Sequence, residues 1–380
     1  MPFSSLGLSE SLLKVIAEQQ YSQPFPIQKE AIPAILQGKD VLGIAQTGSG
    51  KTASFVLPLL ELAQKKTLSR NRHVKTLVLV PTRELAIQTA EVFQLFASSL
   101  PQKIKTMAVY GGVSINPQMM KLKGTEILVA TTGRLLDLIA SNAVNLSEVE
   151  TLVLDEADKM LNLGFKEEMS KIFALLPPKR QNILFSATLG TDINAFHEVL
   201  LHNPQVIEIK EETQNVELIT QTAYHVEPER KGPLLRYLIK NEKMEQVLVF
   251  VSSKITADRV TFKLNSNGIE AAAMHSLKSQ GARTEALQKF KSGKLRVLVA
   301  TDLASRGIDI QYLPYVINYE LPRSPKDYVH RIGRTGRAES SGTAISLISP
   351  EEVHHFVVIQ KKMGKRITLI QTNKLELKGY

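Results

Sequence analysis

Three short runs in this chain combine residue types that do chemistry. The first is Ala45-Gln46-Thr47-Gly48-Ser49-Gly50-Lys51-Thr52. Its glycines allow backbone N–H groups to turn inward around phosphate oxygens. Lys51 is spaced to bring positive charge to the β- and γ-phosphates of a nucleotide, and Thr52 to offer a hydroxyl to Mg2+. The general pattern has glycine first, where this chain has Ala45. The second run is Asp155-Glu156-Ala157-Asp158. Asp155 is placed to hold Mg2+ directly or through water, and Glu156 to orient and deprotonate an attacking water. Alone, these acids read more readily as a solvated turn; beside a phosphate loop they read as catalytic. The third run, Tyr328 to Arg337, sets Arg331, Arg334 and Arg337 three residues apart, on about one face if helical. A row kept for solubility has the same spacing.

These runs need elements to position them. Apolar segments at Asp40–Ala45, Thr76–Val80, Glu126–Ala130, Thr151–Leu154 and Asn182–Phe185 are rich in Val, Ile and Leu at consecutive positions. Strands buried on both faces of a parallel sheet have this composition. Helical stretches such as Arg83–Ser99 and Arg134–Ser141 lie between them, giving an α/β doubly wound pattern. The phosphate loop follows a strand and opens a helix, as that motif requires. The acidic run ends a strand, where side chains reach the ligand crevice of such a sheet.

The pattern breaks after Val206–Ile209, where residues 210–215 are polar and without periodicity. A second series follows, with strands expected at Gln246–Val251, Ile269–Ala273, Arg296–Ala300 and Tyr315–Tyr319. The reading is domain 1 over 1–209, a linker over 210–215, domain 2 over 216–365 and a short basic extension over 366–380. A length of 380 residues suits two domains. Each is a mostly parallel sheet flanked by helices.

Composition narrows the partners. Lys and Arg number 47 against 37 Asp and Glu, a formal charge of +10 that favours a polyanion such as nucleic acid. The chain has no cysteine, which excludes disulfides and thiolate metal sites and suits a reducing cytoplasm. No charged N-terminal region with a long apolar run is present, so neither a signal peptide nor a membrane span is expected.

The Asp-Glu-Ala-Asp run after a phosphate loop resembles the DEAD-box helicases, and further motifs follow in that family's order from Phe3 to about Arg337. The resemblance implies two RecA-like domains, ATP and Mg2+ as cofactors, and RNA as substrate. Pro26-Ile27-Gln28 resembles the end of the Q motif, which implies that Gln28 reads adenine and Phe3 stacks on it. The family commonly has Thr where this chain has Phe25, and Gly at Gln20. Pro81-Thr82-Arg83, Gly111-Gly112 and Thr131-Thr132-Gly133-Arg134 are similar to segments that hold RNA backbone, which assigns Pro81, Thr82, Arg83, Gly111, Gly112, Thr131 and Arg134 to RNA. Ser186-Ala187-Thr188 resembles the motif that links ATP state to RNA binding. Gln280 and Arg283 resemble a Gln-x-x-Arg element in which the Arg meets phosphate. The run from Ala300 to Asp309 implies Thr301 at RNA and Asp309 at the ribose. Arg334 and Arg337 are implied as arginine fingers, and Asp158, Ser186, Thr188, His330 and Arg331 as coupling residues.

The implied activity is an RNA-stimulated ATPase that clamps single-stranded RNA, opens short duplexes or remodels ribonucleoprotein complexes, and releases RNA after hydrolysis. Accessory proteins are among the partners considered. A non-catalytic scaffold, a DNA helicase and an RNA-annealing chaperone are the rivals. The presence of Lys51, Asp155, Glu156, Arg334 and Arg337 weighs against the scaffold. The compact length suggests a bacterial RhlE-like member.

Overall fold

The computed structural model describes residues 2–45, 48–64, 73–187, 200–209, 219–302, 310, 313–335 and 342–380. The chain divides into two units, Met1–Glu211 and Glu212–Tyr380. The expected linker, 210–215, lies outside the described residues.

In the first unit the elements run α1 (Glu10–Glu18), α2 (Pro26–Leu36), β1 (Val41–Ile44), α3 (Lys51–Gln64), β2 (Thr76–Leu79), α4 (Arg83–Ala97), β3 (Thr106–Val109), α5 (Asn116–Lys121), β4 (Ile127–Ala130), α6 (Thr132–Ala140), β5 (Thr151–Leu154), α7 (Ala157–Asn162), α8 (Lys166–Phe173), β6 (Gln181–Ser186) and β7 (Gln205–Glu208). The strands form one seven-stranded sheet in the order β3-β4-β2-β5-β6-β1-β7. Every pairing is parallel, for example Val41 opposite Ile183 and Leu79 opposite Leu154. Neighbours in a strand project to opposite faces, and both faces are covered. In β6, Ile183 and Phe185 join the core that includes Phe55 and Phe93, whereas Leu184 joins the core that includes Met160 and Ile172. Double coverage is why the sequence runs are continuously apolar rather than alternating.

Gly43 matters for this packing. A Cβ there would strike the ring of Phe185. With only hydrogen at that position, Phe185 lies between sheet and helix with its centroid 5.7 Å from that of Phe55 on α3. The helix that begins with Lys51 is thereby seated on the sheet. Burying each such ring contributes about 1.5–3 kcal/mol.

The second unit runs β8 (Ile219–His225), α9 (Lys231–Asn241), β9 (Val247–Val251), α10 (Lys254–Asn265), β10 (Ala271–Met274), α11 (Gln280–Lys291), β11 (Val297–Thr301), β12 (Tyr315–Asn318), α12 (Pro325–Ile332), β13 (Gly342–Ile348), α13 (Val353–Met363) and β14 (Leu369–Gln371). Its seven strands are also all parallel, in the order β10-β11-β9-β12-β13-β8-β14. In β9, Val247, Val249 and Val251 face one core while Leu248 and Phe250 face the other.

Residues 366–380, read from sequence as an extension, are integrated into this sheet and its flank. Leu369–Gln371 pair with β8. Arg236 donates to the Tyr380 carbonyl at 2.6 Å, and the Tyr380 ring meets Tyr237 edge-on at 5.1 Å.

Candidate functional site

The phosphate loop springs from the carboxyl end of β1. Ala45 N donates to the carbonyl of Ser186 at 3.0 Å, which anchors the start of the loop to the end of β6. Gln46 and Thr47 lie outside the described residues. Gly48 and Gly50 take φ of 85° and 86°, left-handed values that residues with a Cβ adopt at a cost. Ser49 lies between them, and Lys51 and Thr52 form the first turn of α3. Lys51 Nζ donates to the Ala45 carbonyl at 2.6 Å across the loop. Burial pushes the pKa of this ammonium down, against the pull of Asp155 and Glu156.

The acidic run follows β5, two strands along the sheet from β1. Asp155 is 2 % exposed, and burial pushes its carboxyl up to about 6, with Lys51 opposing and Glu156 adding to the shift. Its Oδ1 has no hydrogen-bond partner among the described residues. Glu156 occupies the left-handed region at φ 55° and ψ 46° as the N-cap of α7. That conformation costs a residue with a Cβ about 1–2 kcal/mol. Glu156 Oε1 pairs with Lys159 Nζ at 2.6 Å, and Oε2 is buried without a hydrogen-bond partner. Asp158 is buried in the first turn of α7, and Ser186 is buried at the end of β6. Thr188 lies outside the described residues.

This donor set fits Mg2+. A buried carboxylate oxygen without a partner, near Lys51, is what a hard cation would satisfy. Among the described residues no three His, Cys, Asp or Glu side chains are grouped to hold a metal. A cation here would rely on Asp155, Thr52, water and ligand oxygens.

Gln28 is fully buried. Its Oε1 accepts from Phe25 N at 2.9 Å, and its Nε2 donates to the Gly50 carbonyl at 3.1 Å. The amide thus ties the start of α2 to the phosphate loop, leaving one N–H and one lone pair for another partner. Phe3 is 5 % exposed and sits in the core, edge-on to Tyr21 at 6.4 Å. Phe25 is 47 % exposed.

The expected RNA segments of the first unit converge at strand ends. Pro81 follows β2, and Thr82 caps α4 by accepting from Leu85 N at 3.2 Å. Arg83 lies over Gly112, so that a Cβ at Gly112 would collide with its guanidinium. Arg134, one turn into α6 from the N-cap Thr131, donates to the Val113 carbonyl at 2.7 Å; its Nη1 is buried without a hydrogen-bond partner. Three segments far apart in sequence therefore meet around Gly111-Gly112-Val113.

In the second unit, Arg283 is buried on α11, whose N-cap Ser279 accepts from Ala282 N at 3.2 Å. Thr301 ends β11. Arg331 is 2 % exposed and, among the described residues, donates to Asp302 at 2.6 and 2.7 Å, Asn318 at 3.0 Å and the Glu320 carbonyl at 2.7 Å. Its guanidinium carbon lies 4.9 Å from the Phe250 ring centroid. His330 is exposed.

The expected arginine row on one helix face is corrected here. α12 stops at Ile332, Gly333 is its C-cap, and Arg334 lies in the following turn. Thr335 draws the chain out of the helix, its hydroxyl donating to the Leu313 carbonyl. Arg331 turns into the core while Arg334 is half-buried. Asp309 and Arg337 lie outside the described residues.

Two participants escaped the sequence reading. Lys159 pairs with Glu156, signalled only by an i,i+3 spacing. Asp302, within a recognised segment, had no sign of its tie to Arg331.

Comparison with known proteins agrees with this geometry. The DEAD/DEAH box helicase family model matches residues 25–196, and the helicase conserved C-terminal domain matches 230–339. The chain is 40% identical over 370 residues to the ATP-dependent RNA helicase CshA of Listeria monocytogenes, covering 97% of this chain and 70% of that protein. It is 39% identical over 369 residues to the DEAD-box ATP-dependent RNA helicase CshA of Geobacillus kaustophilus, covering 96% and 78%. A solved structure of S. cerevisiae Dbp5 bound to RNA and ADP BeF3 superposes with a TM-score of 0.84 at 30% identity, over 98% of this chain and 96% of that one. A DEAD box protein from the hyperthermophile Methanococcus jannaschii gives 0.54 at 37% identity, over 97% and 99%. These relatives lend no support to the narrower RhlE-like expectation. Among the described residues, no helix is long and apolar enough to cross a membrane.

Proposed function

The chain belongs to the DEAD-box helicases, and from that premise we propose that it is an ATP-dependent RNA helicase that clamps single-stranded RNA while ATP is bound. The observation that carries this reading is the burial of Lys51 at the start of α3 and of Asp155 and Glu156 just after β5.

In this reading Lys51 leaves the Ala45 carbonyl and turns its charge to the β- and γ-phosphates. The glycine N–H groups and the N-terminus of α3 hold the remaining phosphate oxygens. Thr52 and Asp155 would hold Mg2+, which supplies positive charge to the phosphate oxygens as the bond breaks. Glu156, with Lys159 fixing one oxygen, orients the attacking water with the other and takes its proton. Arg334 and Arg337, from the second unit, neutralise charge that develops on the γ-phosphate; such fingers are worth roughly 10³–10⁵ in rate in related reactions. Asp309 meets the ribose.

RNA backbone rests on the loop gathered by Arg83 and Arg134, and on Arg283 and Thr301. These are backbone rather than base contacts, so sequence selectivity is low. ATP and RNA each favour the state in which both units engage them, and each raises the affinity for the other. Asp158, Ser186, Thr188, His330 and Arg331 transmit this coupling. Short duplexes or ribonucleoprotein complexes are remodelled, hydrolysis releases the strand, and the work is cytoplasmic.

The test is ATP hydrolysis with and without single-stranded RNA, beside matched DNA. RNA stimulation is expected, with a loss of roughly 10²–10⁴-fold in Glu156→Gln. Equal stimulation by DNA would refute the RNA assignment, and unaltered hydrolysis in Glu156→Gln would refute the role of that residue.

A further inference from the structure

We infer that Gln118 is a positioning residue for RNA, holding the Gly111-Gly112 segment in the shape that receives the sugar–phosphate backbone. The inference rests on the RNA reading above and deepens it.

The argument begins at the end of β3. Among the described residues this outermost strand pairs with β4 alone. Val109 turns its carbonyl toward that neighbour, accepting from Thr131 N at 3.1 Å. The backbone of the next residue, Tyr110, meets a side chain instead of a strand. Gln118 Oε1 accepts from Tyr110 N at 3.0 Å, and Gln118 Nε2 donates to the Tyr110 carbonyl at 3.1 Å. One amide thus answers both backbone groups of one residue, as a neighbouring strand would. Gln118 is 8 % exposed and stands on α5, its own N–H donating to the Ile115 carbonyl at 3.0 Å.

The residue so clamped immediately precedes the glycine pair. Gly112 follows at φ 78° with the Arg83 guanidinium lying over it, and the Val113 carbonyl accepts from Arg134 at 2.7 Å. The segment is therefore held at 110, 112 and 113, while Gly112, Val113 and Ser114 stay exposed. Two glycines in a row have wide conformational freedom, which a bound strand would have to remove. A loop fixed beforehand but left uncovered spares that cost at binding. Gln118 acts at the root of the loop, one residue from the peptide groups that would face phosphate, and touches no RNA itself.

The experiment uses the full chain, with Gln118→Met and Gln118→Glu. Methionine has similar length and good helix propensity, and offers no donor to the Tyr110 carbonyl. Glutamate has nearly the same shape but sets a carboxylate against that carbonyl. Anisotropy of labelled single-stranded RNA should show about a tenfold loss of affinity in both. The RNA concentration for half-maximal ATPase stimulation should rise to match, with the rate at saturating RNA and the affinity for ATP alone unchanged. Combined with Gly112→Ala, which disturbs the same loop, the loss should fall short of the product of the two single losses. Combined with Arg283→Ala in the second unit, it should equal that product. Unchanged RNA affinity in both variants would overturn the proposal. A parallel loss of ATP affinity, or full multiplication with Gly112→Ala, would overturn it as well, since Gln118 would then only support the fold of the first unit. Failure of the unmodified chain to bind RNA would overturn the RNA reading itself, an outcome distinct from these.

Discussion

Arg331 grips Asp302 through two parallel bonds, Nε to Oδ1 at 2.6 Å and Nη2 to Oδ2 at 2.7 Å, while Nη1 spans Asn318 and the Glu320 carbonyl. This planar fork joins the end of β11, the end of β12 and α12. Asp302 follows the expected RNA contact Thr301, and Arg331 precedes the expected finger Arg334 by three residues. The clasp therefore sets where both lie within the second unit. Lysine has the charge but not the fork. Arg331→Ala should destabilise the second unit by about 1.5–3 kcal/mol, because it removes the charge-assisted bonds that tie position 331 to Asp302 and Asn318. Arg331→Lys should recover only part of that loss. Urea unfolding measures both, and equal stability of Lys and Arg at 331 would refute the role of the fork.

Asp155→Asn should stabilise the ligand-free protein at pH 7 while abolishing ATP hydrolysis. Burial raises the folded pKa of Asp155 from 3.8 to about 6, so its charge is held at a cost above that pH. The sign follows: the folded form binds the proton more tightly, so the Asp155 contribution to stability falls as pH rises from about 4 to about 6. The advantage of Asn should thus be full at pH 7 and vanish near pH 4. Thermal melting of both proteins across that range measures it.

Gly112→Ala should weaken RNA binding with little effect on ATP affinity. The position has φ 78°, and the added Cβ would displace the Arg83 guanidinium. Backbone strain alone costs about 1–2 kcal/mol. Fluorescence anisotropy of labelled single-stranded RNA, alongside ATP binding, separates the two effects.

Glu352→Gln should destabilise the second unit at neutral pH but not in acid. Burial would raise the Glu352 pKa. Lys231 at 2.6 Å and the backbone N–H groups of Ser349 and Leu321 outweigh burial and hold it below 4.5. A depressed carboxylate stabilises the fold above its unfolded pKa and loses that contribution as pH falls through the folded value. The difference between Glu and Gln should therefore close on acidification below about pH 4.5. A constant difference down to pH 3 would contradict it.

Much of this was legible in sequence because the central strands are buried on both faces. Val247–Val251 and residues 152–154 are unbroken apolar runs rich in Val and Leu, the composition of a strand covered on both faces. Other strands were harder. Thr106–Val109 is half-covered at the sheet edge, Ile219–His225 mixes polar and apolar residues, and Leu369–Gln371 is largely exposed. Their strand state comes from pairing with a neighbour, which local composition does not reveal. At the site, the phosphate loop and acidic run were legible because their chemistry requires fixed spacing. The meeting of Arg83, Gly112, Val113 and Arg134 was not, since it depends on adjacent strand ends brought together by sheet order. The arginine row misled for a related reason: a three-residue spacing implies a helix face only while the helix lasts, and this one ends at Ile332.

The central claim is that nucleotide state governs the grip on RNA. The most direct measurement is RNA affinity by equilibrium anisotropy with a non-hydrolysable ATP analogue and with ADP, for the unmodified chain and for Arg334→Ala. The account predicts RNA binding at least about tenfold tighter with the ATP analogue, a typical coupling strength, and loss of that difference in Arg334→Ala. Equal RNA affinity in both nucleotide states would contradict it.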